Sequence, residues 1–176
     1  MGHELKPISG NSIAAALAKA DRYRYLNEPE EAESICLDII AAEPENQQAL
    51  RMLGLAITDQ FKGGSADRYN EADDIFQRLH EPYEQHYYHG ILHERRAKAQ
   101  LKAGYAPHII VPLFEHAMRS FEDAQKIRPA GNDDSILRWN RCVRLLKSLP
   151  SVDTAEEMHG FDSGDMSPIP TGKPHR

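Results

Sequence analysis

Apolar residues along this chain recur at intervals of three and four, and proline, glycine or asparagine interrupts them every fifteen to twenty-five positions. That spacing is the period of an α-helix buried on one side, and it predicts seven helices. Ser9 to Ser12 supply polar capping residues for a first helix, Ile13 to Leu26, which Asn27-Glu28-Pro29 stops. A second runs from Pro29 to about Glu43, with Ala32, Ile35, Cys36, Ile39 and Ile40 on one stripe, and Pro44 closes this helical hairpin. The third, Gln47 to Phe61, presents Leu50, Leu53, Gly54 and Ile57, and the fourth, about Tyr69 to Leu79, presents Ala72, Ile75, Phe76 and Leu79. Lys62-Gly63-Gly64-Ser65 between them reads as a loop. A fifth helix is expected over Glu84 to Lys102, a sixth over Pro112 to Ile127 and a seventh over Asp134 to Leu149. No segment alternates with a period of two, although Ile109-Ile110-Val111, held between two prolines, reads as a short extended stretch. Beyond Pro150 the apolar period stops, and scattered acids with four glycines and prolines in the last nine positions predict a disordered tail over 150–176.

The pattern also repeats on a longer scale. Ala32, Cys36, Ile39 and Pro44 stand at offsets 0, 4, 7 and 12, and Ala117, Phe121, Ala124 and Pro129 reproduce them, while Ala72, Phe76 and Leu79 match the first three. Upstream of each set, a small residue precedes a larger one by three positions: Ala20 with Tyr23, Gly54 with Ile57, Gly90 with His93. Small residues let paired helices cross near the short end of the roughly 8–10 Å range, and the larger ones fill the holes beside them. Ala20 and Gly54 are 34 residues apart, the tetratricopeptide period. With Leu50 to Ile57 as its best first helix and Ala117 to Pro129 as its best second, the sequence resembles the tetratricopeptide-repeat family. The resemblance covers about 13–149 and implies an all-α fold, a right-handed α-solenoid of about three helix-turn-helix pairs with a C-terminal capping helix. Its units fall at about 13–46, 47–82 and 83–131, with the cap over 134–149, inside a domain 12–149 that follows an N-terminal extension 1–11. A generic helical bundle using alanine for close approach is the competing account.

The chain departs from the family in its lengths. Twelve residues separate Ala20 from Ala32, but eighteen separate Gly54 from Ala72 and twenty-seven Gly90 from Ala117, so longer helices or loops must absorb the excess. Ala16 and Lys19 stand where larger apolar residues are usual, so the first unit is expected to pack more loosely.

Composition narrows the function. Hydrophobic residues at 40% and charged residues at 27% are a globular balance, and a net charge of −6 provides no field for collecting phosphates, which argues against nucleic acid. No apolar run approaches the roughly 20 residues that cross a bilayer, and the first residues carry no signal-peptide core or myristoylation pattern, so a cytoplasmic protein without membrane insertion is expected. Cys36 and Cys142 lie within helical patterns and read as buried small side chains rather than a disulfide or metal pair.

The family resemblance implies that first helices line a concave groove for a segment of another protein. Carried over residue by residue, the groove positions are Leu17, Asp21, Arg24, Arg51, Leu55, Thr58, Tyr87, Ile91 and Glu94. Asp21, Leu55 and Glu94 do not suit the family's clamp for a C-terminal carboxylate, so that partner class is set aside. On the seventh helix Arg138, Arg141 and Arg144, at three-residue spacing, are candidates to meet an acidic partner segment, against the plainer reading of a solvated face. His86, His89 and His93 lie within about 60° on one helical face. His86 and His93 are roughly 10 Å apart along the axis, which leaves at most the His89 and His93 pair for a metal, and half-buried packing histidines are the preferred reading. No phosphate loop, zinc knuckle or nucleophile with its base is recognisable. The expectation is therefore a non-catalytic interaction module without cofactor: an adaptor, assembly factor or chaperone-like subunit binding another cytoplasmic protein. Self-assembly into a homo-oligomer, through an uncapped end or Ile109 to Val111, is the alternative, and a histidine metal site is a third.

Overall fold

The computed structural model describes residues 2–64 and 66–149; the expected tail at 150–176 lies outside them. A single 3-10 turn (Gly10–Ser12) leads into seven helices, α1 (Ile13–Tyr25), α2 (Pro29–Ala42), α3 (Gln47–Asp59), α4 (Ala66–Gln77), α5 (Pro82–Lys102), α6 (Pro107–Lys126) and α7 (Asp134–Ser148). There is no strand among the described residues.

Local chemistry sets the ends of these helices. Pro29, Pro82 and Pro107 open α2, α5 and α6, where a missing N–H costs nothing. Asn46 caps α3, its side chain accepting from the Ala49 amide at 2.9 Å. Helix α1 ends with Asn27 in the left-handed region (φ 60°) and the Glu28 amide donating back to the Tyr23 carbonyl at 2.9 Å. Gly104 (φ 81°) ends α5 the same way, the Tyr105 amide reaching the Gln100 carbonyl at 3.1 Å.

The start of α6 corrects the sequence reading. Ile109 to Val111 are helical, and Pro112 sits inside the helix rather than at its beginning. Pro112 forfeits the bond to the His108 carbonyl and disfavours helical geometry at Val111. Burial outweighs this, because only a helix starting at Pro107 puts Ile110 on one stripe with Phe114, Ala117, Phe121 and Ala124, all fully buried.

Each helix packs on its neighbours in the chain, and α3 also touches α1 and α5. The buried residues form three clusters. Ile13, Ile39 and Ala49 bind the first three helices at one end, a middle cluster runs from Ala20 through Leu53 and Phe76 to Leu92, and Ile91, Phe114, Phe121 and Cys142 join α5 to α7. The small residues are where the helices meet most closely. A Cβ on Gly54 would stand 2.2 Å from the Phe76 ring, and one on Gly90 would stand 2.5 Å from the Phe121 ring. These are successive instances of one contact, between the small residue of one helix and the residue at offset 4 of the next. The extra length between Gly90 and Ala117 goes mainly into α5 and α6, of 21 and 20 residues against 12 to 14 in the four helices before them. No helix among the described residues is long and apolar enough to cross a membrane.

Candidate functional site

Helices α1, α3 and α5 lie side by side and are joined by polar contacts centred on Asp59. One carboxylate oxygen of Asp59 accepts from Arg24 Nε of α1 at 2.8 Å, and the other pairs with Arg95 of α5 at 2.6 Å. Arg95 also donates to the Leu55 carbonyl at 2.8 Å and to the Thr58 hydroxyl, so it caps the C-terminal turn of α3, where the helix dipole favours a cation. Burial pulls the Arg95 guanidinium below its usual range, and Asp59 opposes that shift. Along the same helices Arg51 pairs with Glu84, and Arg24 touches the Met52 sulfur.

Of the groove positions predicted from the sequence, Asp21, Arg24 and Arg51 are half-buried polar residues on this face. Leu17 packs onto the cluster of Ile13, Ile39 and Ala49, and Leu55 onto that of Ile91 and Phe114. Tyr87 is half-buried in an aromatic group, stacked on Tyr83 at 5.8 Å between centroids and edge-on to Tyr88 at 5.2 Å. Thr58, Ile91 and Glu94 are buried, at 3%, 1% and 0% exposure, and present no surface to a guest. The expectation that these three line an open groove is corrected. Thr58 lies under Arg95, Ile91 joins the α5–α7 cluster, and Glu94 is enclosed where Arg138 of α7 reaches it at 3.4 Å and Lys98 pairs with it. The arginine row of α7 divides accordingly: Arg138 turns inward to Glu94, while Arg141 and Arg144 are exposed.

The histidines face the contact between α5 and α6. His93 is 9% exposed, with its ring edge-on to His89 at 4.6 Å and to His116 of α6 at 5.4 Å. His89 Nδ1 lies 3.0 Å from the Ser120 hydroxyl, and the Tyr69 hydroxyl of α4 lies 3.5 Å from His93 Nε2. His86 is exposed on the turn before them. Burial pushes His93 down to about 4, and the neighbouring His89, His116, Arg96 and Arg119 push the same way. No group of three or more metal-ligating side chains among the described residues is arranged to hold an ion. His116 escaped the sequence reading because it lies on another helix, 23 positions beyond His93.

Several polar contacts between helix pairs share nearly one separation in sequence, although Gln60 and Glu33 are 27 apart and Arg95 and the Leu55 carbonyl are 40 apart. Arg24 and Asp59 are 35 apart, Glu33 and Arg68 35, Arg78 and the Pro44 carbonyl 34, Arg51 and Glu84 33, and the His80 amide and Gln47 33. Further on, where the helices lengthen, Glu94 and Arg138 are 44 apart and Tyr83 and Asn132 are 49 apart. Burial raises the Glu33 carboxyl, but hydrogen bonds from Arg68 and Gln60 outweigh it and hold the group below its usual value. Asp59 and Arg95, the centre of the network, were not among the predicted site residues; the available signal was that Asp59 stands 35 positions from Arg24 and Arg95 a further 36 from Asp59. Scanned against protein-family models and searched against curated proteins, the sequence finds no match.

Proposed function

We propose that the chain is a non-catalytic interaction module of the tetratricopeptide type, a short α-solenoid that holds a segment of another cytoplasmic protein along the face of α1, α3 and α5. One observation carries this reading. Several of the hydrogen bonds and ion pairs between successive helix pairs join residues about one repeat apart, as expected when equivalent positions of stacked units adjoin. Such stacking brings α1, α3 and α5 into one row, with Asp21, Arg51 and Tyr87 left partly accessible for a guest. Helix α7 then serves as the cap of the stack, and exposed Arg141 and Arg144 extend the contact to an acidic stretch of the partner. A handful of aromatic and arginine contacts can supply the roughly 8 kcal/mol of a micromolar complex.

Panning a random peptide library on the folded protein tests the proposal. Selected peptides should bind in the micromolar range and lose at least tenfold affinity for a variant carrying Asp21→Ala and Arg51→Ala whose melting is unchanged. Peptides insensitive to that variant, or no selected peptide at all, would refute it. Sedimentation at several concentrations addresses the self-assembly alternative, which predicts a mass that rises with concentration.

A further inference from the structure

Helix α7 is the last described element, and its two sides differ. Trp139, Cys142, Leu145 and Leu146 face the cluster of Ile91, Phe114 and Phe121. At about 100° per residue, the opposite side is an arc of roughly 160° that carries Ile136, Leu137, Val143, Arg141, Arg144 and Lys147. None of these three apolar residues joins a buried cluster, and Leu137 is 63% exposed. The three cations are exposed as well, and no carboxylate among the described residues pairs with any of them. The outer face of α7 is therefore an apolar stripe set among cations, without a partner among the described residues.

The sequence that follows directly is complementary to it. Residues 150–165 hold five carboxylates, Asp153, Glu156, Glu157, Asp162 and Asp165, and no Lys or Arg, with Val152, Met158 and Phe161 interspersed. Reach is not limiting. Asp153 stands four residues beyond Leu149, a span of up to about 13 Å, and Glu156 and Glu157 have up to roughly 25 Å, whereas Arg144 and Arg141 are only about 8 and 12 Å back along the α7 axis. Single ion pairs on a surface are weak, but a tether this short holds the two charge sets at about millimolar effective concentration, and burial of the apolar residues adds to them. A second copy presenting the same face would set these three cations against their own equivalents, which repel. The chain's own acidic stretch is the occupant that the charges favour.

We propose that residues 151–165 dock back along the outer face of α7, with their carboxylates on Arg141, Arg144 and Lys147 and with Val152, Met158 and Phe161 over Ile136, Leu137 and Val143. The contact is separate from the α1, α3 and α5 face and stands without the reading of that face as a partner surface. Where that reading also holds, an acidic partner stretch meets the same arginines and must displace the tail to reach them.

A nitroxide attached to the full chain through Ser163→Cys tests the docking by magnetic resonance, since Cys36 and Cys142 are buried and leave the introduced thiol as the reactive one. The expected result is paramagnetic broadening of the amide signals of residues 136–147, with those of α1 and α2 untouched. Arg141→Glu combined with Arg144→Glu should abolish the broadening, and adding Glu156→Arg and Glu157→Arg to that variant should restore it. The proposal is overturned if α7 is not broadened, if reversing the two arginines leaves the broadening intact, or if the paired reversal fails to bring it back. It is equally overturned if the pattern arises only between chains, read by mixing isotope-labelled chains without the nitroxide with unlabelled chains that carry it, since the occupant would then be a second copy's tail. Because the first measurement changes no residue of the folded helices, a variant that fails to fold does not remove the test.

Discussion

Replacing Gly90 by alanine tests whether close helix contact holds this fold together. In an open helix the change stabilises by about 1 kcal/mol, because glycine is the more flexible residue in the unfolded chain. Here the added methyl would stand 2.5, 2.6 and 2.9 Å from three carbons of the Phe121 ring, against roughly 3.5–4.0 Å for a relaxed contact. Phe121 is fully buried and rests against Tyr87 at 5.9 Å between centroids, so the ring has no free direction in which to retreat. Overpacking of this kind costs about 1–3 kcal/mol, and the lack of an escape places it near the upper end. The net expectation is a loss of about 1–2 kcal/mol, seen in urea unfolding followed by circular dichroism as a midpoint lowered by roughly 0.5–1 M. Phe121→Leu alone should also destabilise, but in the double variant the two losses should fall short of their sum by at least about 1 kcal/mol, since the leucine vacates the space the methyl needs. Stabilisation by Gly90→Ala, or strictly additive losses, would show that the close approach at this position is not what the packing depends on.

Three further outcomes follow from the same structure. The folded chain holds the His93 pKa near 4 against an ordinary value of 6.5, so the unfolded state takes up the proton first. Stability should therefore be unaffected by this group above about pH 6.5 and fall as the pH drops towards 4, by at most about 3 kcal/mol; thermal melts of the wild type and His93→Leu should converge in that window, and parallel curves would refute the assignment. Asp59→Asn removes the carboxylate that separates Arg24 from Arg95 and should cost about 2 kcal/mol, partly restored by 0.5 M salt, whereas a change below 0.5 kcal/mol would mean that the pairing adds little. Burial pushes both Cys36 and Cys142 thiols up to about 12, so neither should react with a disulfide reagent at pH 8 until urea unfolds the chain; rapid labelling of the native protein would contradict their burial.

The helices and their contacts were largely legible because local and long-range signals agreed. The small residue at Gly54 and the ring at Phe76 were marked by their place in the repeat, and they meet as that register predicts. Pro112 misled because its preference for a helix start is a backbone effect of one residue, while the burial of Ile110 and Phe114 that overrides it comes from another helix. Three of the positions expected in the groove, Thr58, Ile91 and Glu94, are buried instead. Glu94 and Ile91 have the right register on α5, but they lie under contacts made through α6 and α7, and nothing near them in sequence announces that cover. Arg24, Asp59 and Arg95 share a spacing, yet a charge recurring at that distance looks like any solvated surface residue until the helices are placed together.

Because each helix touches mainly those adjacent to it in the chain, most contacts close over short stretches of sequence. Loop closure is then inexpensive and folding should be fast. The hairpin of α1 and α2 requires nothing beyond α3 to bury Ile13, Ile39 and Ala49, so it can assemble at the ribosome while the second half of the polypeptide is still being synthesised.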